Sequence, residues 1–140
     1  MVFHTFRLLA AALGLASPLV AFSAAGAEDR VSFLGTIKPL LREKCVHCHN
    51  RRTLPDRISL ETRDLAFTKT PTGQPVIVPG KPDESLLVIS LERHIFHENT
   101  MPMVGPRPSA EEIASVRRWI EEGARWPRGP VGRIRPSFRL

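Results

Sequence analysis

The chain has 140 residues, including thirteen prolines and only two cysteines, with a formal charge of +6. That length holds one small core with appendages and excludes two. Two cysteines also exclude a disulfide framework, so the thiols need another use.

Arg7 gives a positive start, and Leu8 to Phe22 is an almost unbroken apolar run ending in small residues at Ala25-Gly26-Ala27. This is the layout of a secretory signal peptide with an A-x-A cleavage site, which predicts a signal over 1–27 and a mature chain from Glu28. An uncleaved anchor is the competing reading, because Leu8 to Ala25 approaches the roughly 18 residues that begin to suggest a span. Gly14, Ser17 and Pro18 interrupt the run and favour cleavage. No later segment is apolar enough to cross a bilayer, so the mature chain is expected to be soluble and, being exported, periplasmic. That address disfavours nucleic acid as a partner.

From about Thr36, the residues Ile37, Leu40, Leu41 and Val46 recur at roughly helical spacing, and Pro39 fits the first turn, where its missing N–H is no loss. An earlier turn capped by Ser32 is compatible with this. The predicted helix feeds into Cys45-Val46-His47-Cys48-His49. A polar loop follows, then a short helix around Glu61 to Ala66, a turn-rich stretch over Thr70 to Pro75, and an extended triplet Val76-Ile77-Val78 with no second strand to pair with. Asp83 reads as the N-cap of a buried helix carrying Leu86, Leu87, Ile89 and Leu91 and ending near His94 to His97. Met101-Pro102-Met103-Val104-Gly105-Pro106 is too rich in Pro and Gly to be helical. Ser109 and Glu112 form a capping box for a last helix with Ile113, Val116, Trp119 and Ile120 on its apolar face, stopped by Gly123. Three main helices with long irregular loops predict a small all-α domain whose thin peptide core leaves room for a large apolar cofactor.

Cys45-Val46-His47-Cys48-His49 is the C-x-x-C-H pattern of haem attachment: two thiols can bond the two vinyl groups of one haem, and the next imidazole can reach the iron. A thioredoxin-like redox pair is expected beside a βαβ pattern, which is absent. A zinc site with His94 or His97 would need Cys48 and His49, adjacent in sequence and divergent in direction, at one tetrahedral centre. His47 reads as a solvated spacer. For the sixth iron position the mature chain offers only Met101 and Met103, in one Pro-rich loop, with His97 and His94 as bis-histidine rivals.

With these residues in view, the chain resembles the planctomycete-type domain family of small monohaem c-type cytochromes. The resemblance runs from about Ile37 to Pro127. It rests on Ile37-Lys38-Pro39-Leu40-Leu41 before the C-x-x-C-H, Ser59-Leu60-Glu61-Thr62-Arg63, Val78-Pro79-Gly80-Lys81-Pro82-Asp83-Glu84-Ser85-Leu86-Leu87, Met101-Pro102, and Glu111-Glu112-Ile113 running to Trp119-Ile120-Glu121-Glu122-Gly123-Ala124-Arg125-Trp126-Pro127. It implies a cytochrome c domain over 28–127, in which the first and last helices cross beside one covalently attached haem c. It further implies Cys45 and Cys48 as thioether attachments, His49 as proximal ligand, Met101 as distal ligand, and Val78-Pro79-Gly80 as a turn against the haem. The family pattern usually continues Met-Pro-Pro, and here Met103 stands at the third position. Such domains carry single electrons for a partner dehydrogenase or oxidase and are not themselves enzymes. A haem enzyme with a bis-histidine or open iron site, and a zinc or disulfide interaction module, are the alternatives.

His49 is expected to donate its other ring N–H to a backbone carbonyl. The last segment, 128–140, carries Arg128, Arg133, Arg135 and Arg139 among Pro and Gly. It reads as a disordered, solvated tail or as a docking arm for an acidic redox partner or an anionic membrane surface.

Overall fold

The computed structural model describes residues 30–94 and 96–136, so the expected signal segment, 1–27, lies outside the described residues. Every regular element described is helical. Short β-type pairing among these residues is limited to a bridge between Lys69 and Pro75. None of the described helices is long and apolar enough to cross a membrane.

The chain enters through a π-helical turn, Phe33–Ile37, that runs directly into α1, Lys38–Lys44. Ser32 caps it, accepting from the Gly35 N–H at 3.0 Å, so the helical segment begins before Thr36. Pro39 sits in the first turn of α1, where no intrahelical donor is missed. Phe33, Ile37, Leu40 and Leu41 form one buried stripe at helical spacing. α2, Arg63–Ala66, is one turn capped by Thr62.

Val76 and Ile77 are buried without joining a sheet. The carbonyls of Pro75 and Val76 accept from the first N–H groups of α3, Leu86–Glu92: Leu86 donates to Pro75 at 3.1 Å and Leu87 to Val76 at 3.0 Å. An extended segment thus spends its polar groups on a helix N-terminus, which itself needs acceptors.

The expected Asp83 cap is corrected. Pro82–Glu84 is a 3-10 turn, and Ser85 occupies the N-cap of α3, its Oγ accepting from Val78 at 2.9 Å and donating to Lys81 at 2.8 Å. Asp83 instead pairs with Arg117 at 2.8 Å. α3 also stops at Glu92, short of His94, because Arg93 turns extended.

α4, Ala110–Glu121, starts with the predicted capping box: Glu112 N–H to Ser109 Oγ at 3.2 Å, and Ser109 N–H to Glu112 Oε2 at 2.7 Å. Gly123 lies just past its C-cap, Glu122, and its φ of 98° is a conformation glycine adopts without penalty. α4 packs against the entrance turn through an aromatic group in which Phe33 lies 5.9 Å from Trp119 and 4.5 Å from Trp126, centre to centre.

The segment after Pro127 departs from the expected disordered tail as far as Ile134. A short helix, α5, Gly129–Gly132, brings the Gly132 carbonyl within 2.7 Å of Trp126 Nε1. Ile134 is fully buried and donates its N–H to Glu61 at 2.8 Å. Gly132 makes the approach possible, since a Cβ there would lie 1.6 Å from the Pro127 carbonyl oxygen. One buried isoleucine and a glycine that admits close backbone contact outweigh the charge and loop composition around them.

Candidate functional site

α1 ends at Lys44, and Cys45 is its C-cap, at φ −125° and ψ −50°, with its N–H on the Leu41 carbonyl at 3.0 Å. The motif therefore lies in a run of turns directly after the helix, not within its last turn. The chain then closes on itself: the N–H groups of Cys48 and His49 both reach the Cys45 carbonyl, at 3.2 and 2.9 Å. Val46 is fully buried and pins the loop to the core, while His47 is exposed, as a spacer should be.

Asn50, read from sequence as part of a polar loop, is the residue that holds this turn in shape. It is fully buried. Its Nδ2 donates to the carbonyls of Val46 and His47, both at 2.8 Å, and approaches Thr53 Oγ1 at 2.9 Å. Its Oδ1 accepts from the N–H groups of Arg52 and Thr53 at 2.9 and 2.8 Å. The available signal was an amide directly after the motif, since Asn side chains satisfy local backbone groups in turns.

His49 is partly buried. Its Nδ1 lies 3.2 Å from the carbonyl of Ile58, the acceptor that sequence alone left unnamed. Burial lowers its pKa most, the Ile58 carbonyl partly offsets this, and Arg57 lowers it further. The imidazole is therefore neutral at neutral pH, with the Nδ1 proton on Ile58 and the Nε2 lone pair left for a ligand-binding role.

Cys45 and Cys48 are both unbonded thiols, the first buried and the second exposed. Burial pushes the Cys45 thiol up to about 12, with Lys44 opposing and Cys48 and Glu112 adding to the rise. A thiol that stays protonated at neutral pH is a poor redox nucleophile.

In the downstream loop, Met101 is half-buried against the core and tied to α3 by its N–H on the Ser90 carbonyl at 3.0 Å. Met103 is 74% exposed. Thr100, which sequence reasoning did not single out, is buried, with its hydroxyl on the His94 carbonyl and its N–H on His97 at 2.9 Å. It anchors the loop just before Met101. His94 and His97 are exposed, and His97 Nδ1 accepts the Asn99 N–H at 3.1 Å. Among the described residues, no three His, Cys, Asp or Glu side chains come together in a way that could hold a metal ion. Val78-Pro79-Gly80 makes a turn fastened to α4, with Gly80 donating to the Ile120 carbonyl at 2.7 Å.

Away from these residues, an open cleft of about 1170 Å³ lies between the outer face of α1, the α2 region and the packed tail. Lys38, Arg42, Arg51, Arg63, Arg128, Arg133 and Arg135 line it, with Glu61 and Asp64 the acidic residues on its wall.

A C-x-x-C-H turn with two unbonded thiols and an imidazole oriented through Nδ1 is the pattern expected for covalent haem attachment. Residues 45–103 match the family profile described as Planctomycete cytochrome C, so over that stretch the resemblance drawn from the residues holds. No curated protein and no solved structure matches the chain significantly.

Proposed function

We propose that the chain is an exported monohaem c-type cytochrome that passes single electrons between protein partners. The observation that carries this reading is the contact between His49 Nδ1 and the Ile58 carbonyl, one residue beyond two unbonded thiols. It fixes the ring tautomer and leaves Nε2 as the donor an iron needs. The donor chemistry fits a covalent haem, which Cys45 and Cys48 would hold through thioethers and His49 and Met101 would hold through the iron. Bound there, haem supplies an Fe(III)/Fe(II) couple that takes one electron at a time.

The chain's own residues do the rest. Asn50 keeps the two thiols and the imidazole in one turn, and Val46 holds that turn against the core. Ile58 orients His49. The Ser90 carbonyl fixes the backbone at Met101, while Met103 turns to solvent, which favours Met101 as the distal thioether. If His49 and Met101 both bound the iron, electron transfer would need little ligand movement, which would suit a carrier better than a haem enzyme. The contact of Phe33 with Trp119 supports a cytochrome c fold in which the first and last main helices meet.

Expression of the full chain with a haem-attachment system tests the reading. Denatured protein should retain haem covalently, and its N-terminus should be Glu28. The thioether-to-iron absorption band should survive Met103→Ala and vanish in Met101→Ala. Absence of covalent haem would sink the proposal, and the reverse pattern in the two variants would transfer the ligand role to Met103.

The cleft supports an acidic protein partner over other uses, because its wall presents seven cations against two carboxylates. Since the tail is packed to Ile134, charge reversal tests this better than truncation. The pair of changes Arg133→Glu and Arg135→Glu should slow partner reduction at low ionic strength and make little difference at high salt. Equal rates at low salt would remove the docking role.

A further inference from the structure

Among the described side chains, one buried polar atom has no hydrogen-bond partner: Nη1 of Arg107. A guanidinium only donates, so an acceptor is the one kind of group that can satisfy it. A buried donor without an acceptor needs a physical explanation, and an acceptor supplied from outside the chain is one.

The other end of the group is occupied. Nη2 donates to the Leu91 carbonyl at 2.7 Å and approaches the Arg93 carbonyl at 3.3 Å, closing the end of α3, where a cation suits the exposed carbonyls. The position of Arg107 is also informative. On one side it holds the end of α3, and Met101 hangs from that helix through Ser90, next to Leu91. On the other side its own carbonyl receives Lys44 Nζ at 3.5 Å, and Lys44 directly precedes Cys45. Arg107 thus touches both the end of the helix that carries Met101 and the residue that precedes Cys45. Glu112, the carboxylate nearby that pairs with Lys44 at 3.5 Å, is already committed to the Ser109 N–H at 2.7 Å.

We infer that Nη1 of Arg107 donates to a propionate carboxylate of the haem. The inference rests on the cofactor proposed above and assigns one of its carboxylates a protein partner. A carboxylate is an acceptor-only anion, and a guanidinium is the donor that pairs with it most strongly in a desolvated setting. The same contact has a redox consequence. A fixed cation beside the haem disfavours the more positive oxidised state, so it raises the reduction potential.

The test compares haem-bearing wild type, Arg107→Gln and Arg107→Lys by redox titration, with covalent haem and helical content checked in each. Arg107→Gln should shift the one-electron equilibrium about tenfold toward the oxidised form, about 59 mV. Arg107→Lys should retain most of the wild-type potential. A role confined to closing α3 would lower the melting temperature of the variants and leave the potential unchanged, which overturns the inference. A crystal structure of haem-bearing wild type gives a check that needs no variant: a propionate oxygen within about 3.2 Å of Nη1 supports it, and a water or backbone carbonyl in that place overturns it. Wild type without covalent haem overturns both this inference and the cofactor reading. Wild type with haem and unmoved variant potentials overturns this inference alone.

Discussion

Replacing Asn50 by alanine should unfasten the motif turn. The side chain is fully buried, and its amide has two hydrogens to share among the carbonyls of Val46 and His47 and the Thr53 hydroxyl, while its oxygen accepts from two backbone N–H groups. That is four hydrogen bonds' worth of donors and acceptors, each contributing about 0.5–1.5 kcal/mol net. Arg52 and Thr53 are exposed, so their N–H groups can find water, whereas Val46 is sealed. The expected loss is about 3 kcal/mol, a large share of the 5–15 kcal/mol typical of a small domain. Urea unfolding of the haem-bearing protein measures it, and the fraction of chains with covalent haem should fall in the same preparation. Asn50→Asp sharpens the test: nearly the same shape, it turns an oxygen toward the two carbonyl oxygens. Its carboxyl should be held above the ordinary range, so this variant gains stability relative to wild type as pH falls. A change under about 1 kcal/mol for Asn50→Ala would refute the idea that this amide organises the turn.

Two further outcomes are expected. Gly132→Ala should cost about 3 kcal/mol, since the new Cβ would lie 1.6 Å from the Pro127 oxygen and displacing the segment gives up the Trp126 hydrogen bond and the burial of Ile134; an unchanged urea midpoint would mean that the segment does not pack as described. In chains lacking haem, iodoacetamide should label the exposed Cys48 well before Cys45, whose thiol is buried and pushed up to about 12. Haem-bearing chains should show neither adduct by mass spectrometry, because both sulfurs would be thioethers.

The helices were legible where the sequence carries a local rule. The Ser109 and Glu112 pair states a capping box outright, and Ile37, Leu40 and Leu41 state an apolar face. What failed depended on partners far along the chain. Asp83 looks like a cap until Arg117 claims it and Ser85, bonded to Val78 and Lys81, takes the cap instead. The motif residues are visible as a pattern, yet Ile58 could not be named, because a backbone carbonyl carries no side-chain signature and its approach to His49 depends on the path of the intervening loop. Met101 and Met103 are chemically identical in sequence. Only the packing of Met101 against the core, with its N–H on Ser90, separates them.

The tail shows how composition can mislead about order and still be right about charge. Its arginines suggested a solvated arm, but Ile134 inserts into the core and Trp126 grips the Gly132 carbonyl, so Arg133 and Arg135 are carried on a fixed wall. An arm that must be ordered on contact gives up chain entropy each time it binds, whereas charges already in place do not. A carrier that meets and leaves its partners repeatedly needs fast, weak, oriented encounters, which long-range charge supplies. Under the proposed carrier role, the packing of the segment up to Ile134 would suit the basic face to docking, because it holds the charges beside α1, the helix whose end leads directly into Cys45.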